Sequence, residues 1–178
     1  MNKSSKFILV LALTAIAFGL AWAAPKQLAD ARGTYRLLGE NRWIPLQSHA
    51  GRSVLLVFWA SWCLPCVSEI PNLNAVYEKF EHSGLKIVAV SMDNTSDENL
   101  QRIVQRNRIR YPVVVPSEDL LREFRVEAIP ASYLYDKNGK LVAEWIGPPS
   151  AEELERAINA ALRGEAPPSG PTAPPHEK

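Results

Sequence analysis

The period of the apolar positions changes several times along the chain, and each change marks an element. Ser53 to Trp59 is an unbroken apolar run, SVLLVFW, as expected of a parallel strand covered on both faces. From Leu64 the spacing turns helical, with Val67, Ile70, Leu73, Tyr77 and Phe80 on one side. Pro71 falls inside that helix and removes one backbone donor, which predicts a bend. Ser83-Gly84 ends it, and Leu85 to Val90 is a second buried strand. Thr95-Ser96-Asp97-Glu98 reads as a capping box in which Thr95 and Glu98 satisfy orphan backbone donors reciprocally. It opens a helix with Leu100, Ile103 and Val104 on one face. Pro112 to Val115 predicts a short strand, Glu118 to Phe124 a short helix and Ala131 to Tyr135 another strand. Asp136-Lys137-Asn138-Gly139 is a hairpin turn leading into Lys140 to Ile146. Ser150 and Glu153 cap a last helix that carries Leu154, Ile158 and Leu162. The order is β-α-β-α-β, a short helix, a β-hairpin and a final helix, which makes one α/β layer domain.

The ends differ from this middle. Residues 26–50 are polar, with short apolar alternations broken by Gly33, Gly39 and Pro45, and predict a small hairpin on the sheet edge. Lys3 and Lys6 precede an uncharged apolar run from Phe7 to Trp22, and Ala21-Trp22-Ala23 offers the small-x-small pattern of a cleavage site. Residues 1–23 therefore read as a signal peptide, with an uncleaved membrane anchor through residues 7–24 as the competing reading. Both place the domain outside the cytoplasm, in a periplasmic type of compartment where disulfides persist. Residues 24–34 read as a linker. After Arg163 five prolines fall in the last fifteen residues, so 164–178 predict a disordered tail.

Charge adds little. The 20 basic and 19 acidic residues give a net charge of +1, and losing Lys3 and Lys6 with residues 1–23 leaves 18 against 19. Neither value draws the protein to nucleic acid. Cysteine usage says more, because the chain has two cysteines and both lie in Cys63-Leu64-Pro65-Cys66. A stapling disulfide gains most by closing a long loop, and two intervening residues close almost nothing. A pair so spaced serves chemistry.

A C-x-x-C alone is a weak signal, and other readings compete. Zinc normally takes four ligands, but His49, His82 and His176 are scattered, so no metal is expected. Covalent haem attachment needs histidine directly after the second cysteine, and Val67 stands there. An inert structural pair fits poorly, because the motif follows a buried strand and opens a helix. That position puts Cys63 at a helix N-terminus, exposed, where free N–H groups and the dipole favour a thiolate.

Phe58-Trp59-Ala60-Ser61-Trp62-Cys63-Leu64-Pro65-Cys66 resembles the active-site strand and turn of thioredoxins. Val67-Ser68-Glu69-Ile70-Pro71 resembles the TlpA/ResA-like branch of extracytoplasmic thioredoxin-fold proteins. Ile129-Pro130 matches that fold's cis-proline loop, and the Asp136–Gly139 turn with Trp145-Ile146-Gly147 fits its terminal hairpin. The resemblance spans roughly residues 35–162. It implies a thioredoxin fold over 35–163, with a central mixed sheet flanked by helices and an N-terminal β extension. It also implies that Cys63 attacks, Cys66 resolves, and no cofactor is needed beyond this redox-active pair. Trp62, Pro65, Ile129 and Pro130 would contact substrate. Two positions depart from pattern. Val57 stands where thioredoxin has a buried aspartate, and Ala131 follows the cis-proline where threonine is common. Glu69, three residues after Cys66, matches the glutamate of the TlpA/ResA-like branch and joins the catalytic set.

The resemblance implies a reductase of selected protein disulfides, with clients such as apocytochrome c or copper-site cysteines and electrons from a membrane thiol–disulfide carrier. A non-enzymatic copper-binding assembly factor using both thiolates is the alternative. A thiol peroxidase is a weaker one, because that chemistry places threonine three residues before its cysteine and Ala60 stands there.

Overall fold

The computed structural model describes residues 27–165 and 167; the expected signal peptide or anchor and most of the proline-rich tail lie outside them. Seven strands and four α-helices alternate: β1 (Thr34–Leu37), β2 (Trp43–Pro45), β3 (Ser53–Trp59), α1 (Leu64–Phe80), β4 (Leu85–Ser91), α2 (Asp97–Arg106), β5 (Val113–Pro116), α3 (Glu118–Phe124), β6 (Ala131–Tyr135), β7 (Leu141–Ile146) and α4 (Ala151–Arg163). The strands form one mixed sheet in the order β2-β1-β5-β4-β3-β6-β7. β3 lies beside parallel β4 and antiparallel β6, and all seven of its residues are buried. That is why its sequence lacks polar alternation. Leu55, Val57 and Trp59 face a core that includes residues of α1, α2 and α4, whereas Val54, Leu56 and Phe58 face a second core with Leu120 and Phe124 of α3. The expected edge hairpin is present as β1 and β2, docked through β1 on β5.

Two details differ from the sequence pattern. Ser96, not Thr95, caps α2, its hydroxyl accepting from the Asn99 N–H. Asp97 is then the first helical residue, and its carboxylate takes two bonds from Arg36, at 2.6 and 2.7 Å, and one from the Gly39 N–H. α1 is continuous through Pro71, as its apolar spacing predicts. The described part of the expected linker is packed. Leu28 and Ala31 have no exposed surface, and Leu28 N–H donates to the Gly139 carbonyl in the β6–β7 turn. Gly33 then passes so close to Leu120 that a Cβ there would lie 2.4 Å from its Cδ1.

Candidate active site

β3 ends at Trp59, and the next four residues turn the chain into α1. Cys63 sits at the N-cap, in extended conformation, and its Sγ accepts from the Cys66 N–H at 3.2 Å. Pro65 lies in the first turn, where a missing N–H costs nothing. Cys63 and Cys66 are joined as a disulfide with Cα atoms 5.3 Å apart. The N–H that meets Cys63 Sγ also favours negative charge there once the pair is reduced, as does the helix end.

The remaining expected residues surround this pair. The Ile129–Pro130 bond is cis, and the Ile129 carbonyl oxygen lies 3.6 Å from Cys63 Sγ. The Pro130 carbonyl accepts from Gly147 N–H, tying the loop to the end of β7. Trp62 and Leu64 flank Cys63 with 70% and 79% of their surfaces exposed, and Pro65 is exposed beside them. Cys63 itself corrects one expectation, because it is buried at 6% exposure against 2% for Cys66. In the disulfide its sulfur turns inward to Cys66 and the Ile129 carbonyl, so the pair differs little in exposure.

Glu69 lies one turn beyond Cys66 and is 3% exposed, with neither carboxylate oxygen hydrogen-bonded. Burial pushes its pKa up to about 7. A buried carboxyl with this shift changes protonation near neutral pH, which suits it to exchange a proton. Val57 is buried on the core face that also receives Cys66 and Leu73 of α1.

One group escaped the sequence reading. The Asp93 carboxylate, just past β4, accepts from Ser61 N–H, from Ser61 Oγ at 2.7 Å and from Ser91 Oγ at 3.0 Å. It fixes the turn two residues before Cys63. Its signal was a polar Ser91 and Asp93 at the carboxyl end of a buried strand, where α/β sheets place their sites. Elsewhere, His49 pairs with the Tyr35 hydroxyl and is held neutral, its pKa lowered to about 4 by burial and then by Lys86 and Arg52. No group of three or more His, Cys, Asp or Glu side chains that could hold a metal occurs among the described residues.

Comparison with known proteins agrees with this arrangement. Residues 25–144 match the AhpC/TSA family. The chain is 33% identical to the thiol-disulfide oxidoreductase ResA of Bacillus thuringiensis over 120 residues, covering 67% of this chain and 69% of that one. Sporulation thiol-disulfide oxidoreductase A of Bacillus subtilis is also 33% identical, over 155 residues, covering 84% of this chain and 92% of its own. A crystal structure of a candidate thiol:disulfide interchange protein DsbE from Chlorobium tepidum superposes with a TM-score of 0.67 at 29% identity, covering 80% of this chain and 99% of that chain. With the fold, the pair and these relatives in agreement, the chain belongs to the AhpC/TSA family of thioredoxin-fold proteins and is a TlpA/ResA-like thiol–disulfide oxidoreductase.

Proposed function

We propose that this oxidoreductase works outside the cytoplasm as a reductase of particular protein disulfides. The observation that carries the reading is the Glu69 carboxyl, buried, without a hydrogen-bond partner and one turn from Cys66. The Cys63 thiolate attacks a client disulfide, forming a mixed disulfide and releasing one client thiolate. Cys66 gives its proton to Glu69 and attacks Cys63 Sγ, releasing the second client thiolate and re-forming the Cys63–Cys66 bond. Two electrons pass from the dithiol to the client. A membrane thiol–disulfide carrier returns them by the reverse exchange.

Trp62, Pro65, Ile129 and Pro130 hold the client segment. The Ile129 backbone beside Cys63 suits pairing with an extended strand. Clients of the cytochrome c or copper-site kind fit the resemblance to ResA-like proteins. Ala60, three residues before Cys63, supplies no hydroxyl for peroxide chemistry and counts against that reading.

Cys66→Ser should accumulate client mixed disulfides through Cys63 on non-reducing gels, and Cys63→Ser none. Equal trapping by both would reverse the assignment. A reduction potential near −250 mV or below, on the scale where thioredoxin is about −270 mV, marks a reductase. A value near that of DsbA, about −120 mV, would make the protein an oxidant.

A further inference from the structure

Beyond Pro71, α1 is clasped from outside by the segment between α2 and β5. The Asn74 side-chain N–H donates to the Arg108 carbonyl at 2.9 Å, and its Oδ1 accepts from the Arg110 N–H at 2.8 Å. Arg108 holds a left-handed φ of +53°, a conformation that a residue with a side chain keeps where its surroundings fix it. One turn further along α1, Glu78 pairs with the Arg110 guanidinium. The next residue is Tyr111. It is 4% exposed and belongs to the core cluster that contains Cys63, Cys66 and Leu73.

Glu69 stands three residues after Cys66 and four before Leu73, so all three share one face of α1. The residue seated by the clasp therefore belongs to the same core cluster as Cys66 and Leu73, the two positions that bracket Glu69 on that face. The effect of charge agrees. Burial first, and the Glu69 carboxylate second, raise the pKa of the Tyr111 hydroxyl. Cys63 and Cys66 are joined as a disulfide and do not titrate in the oxidised protein, which leaves Tyr111 as the ionisable group that senses Glu69. Arg110 is engaged at the surface by Glu78.

We propose that Tyr111 is the wall that keeps water from the Glu69 carboxyl, and that Asn74 is the latch that seats this wall. Both are positioning residues, and the inference rests on Glu69 being the proton acceptor for Cys66. A dry carboxyl binds its proton more tightly. Loosening the wall hydrates the site and returns the carboxyl toward ordinary acidity. Because the ring and not the hydroxyl excludes water, Tyr111→Phe should keep the site intact.

The test is a 13C NMR titration of the glutamate carboxyls in the oxidised full-length protein. The wild type and Tyr111→Phe should titrate Glu69 with the same midpoint, near pH 7. Tyr111→Leu and Asn74→Ala should each lower it by about one pH unit or more, toward the ordinary value of about 4.3. Thermal unfolding and circular dichroism check that each variant is folded, and either substitution alone is sufficient to read. An unmoved midpoint in folded Tyr111→Leu overturns the wall, as does Tyr111→Phe shifting as far as Tyr111→Leu. An unmoved midpoint in Asn74→Ala overturns the latch. Glu69→Gln, assayed separately, decides the proton role. An unchanged pH–rate profile there removes that role while leaving the NMR midpoints to be judged independently.

Discussion

At the scale of single residues, Glu69 is where stability and chemistry pull in opposite directions. Burial raises its pKa from 4.5 to about 7, so the folded state holds a proton that the unfolded chain releases earlier. Below pH 4.5 both states are protonated and the group costs nothing. Between 4.5 and 7 the unfolded chain ionises first, and stability falls as pH rises. Above 7 the penalty is complete, at about 3 kcal/mol from about 1.4 kcal/mol per unit. Glu69→Gln has no charge to bury. It should match the wild type in stability at pH 4 and exceed it by roughly 2–3 kcal/mol at pH 8, measured by urea unfolding at both. The same variant should reduce client disulfides about tenfold more slowly or worse, since Cys66 loses its base. The sequence showed this residue through its spacing from Cys66. Its burial was not legible, because the core around it includes Tyr111, brought there by a loop in which Arg108 turns left-handed and residues 36 apart bond, Asn74 to Arg110.

At the scale of elements, hydrophobic period located the strands and helices well, and failures fell where two residues could do the same job. Thr95 and Ser96 are both competent caps. Asp97, directly after the Ser96 cap, meets Arg36 on β1, 61 residues away, a contact that no local pattern reports. The turn between β3 and α1 teaches the same lesson about function. Its motif was plain, but its support comes from Asp93 on another element. With three hydrogen bonds into one carboxylate, two of them from Ser61, removal of that side chain frees the segment that presents Trp62 and Cys63. Asp93→Ala should cost about 2 kcal/mol, because bonds to a charged acceptor contribute more than neutral ones. It should also lower kcat/KM for a protein disulfide about tenfold, since small displacements at a reacting centre are costly. Ser61→Ala, which keeps the backbone bond, should lose less of both. Stopped-flow exchange with a disulfide client and denaturant midpoints measure the pair. Lost stability with unchanged exchange would reduce Asp93 to a structural tie.

At the scale of the whole molecule, the sheet separates two poles. β3 runs toward the cysteines, and β6 starts beside them at Ala131 and ends at Tyr135 next to the 136–139 turn. Gln27 bridges Lys140 at that far turn, and Leu28 fills the core beneath it. A polar stretch broken by glycines hid this plug, because one buried leucine sets up no period. Its consequence is positional. Gln27 and Leu28 lie at the pole opposite the disulfide, so a tether placed ahead of them, if the protein has one, would leave Trp62, Cys63 and the cis-proline loop free to meet a client. Among the described residues no helix is long and apolar enough to cross a membrane. We propose residues 1–23 for export and any tether, because their basic start, apolar run and Ala21-Trp22-Ala23 match the pattern of an export signal. Residues 1–30 fused to a reporter that is active only outside the cytoplasm should therefore give activity, and a fusion with Lys3, Lys6 and residues 7–22 deleted should give none. Mass spectrometry of the purified full-length product then separates the two fates. Ala24 at the N-terminus identifies a cleaved signal and a free reductase, whereas an intact Met1 in the membrane fraction identifies an anchored one. Reporter activity from the deleted fusion would show that these residues are not what exports the protein.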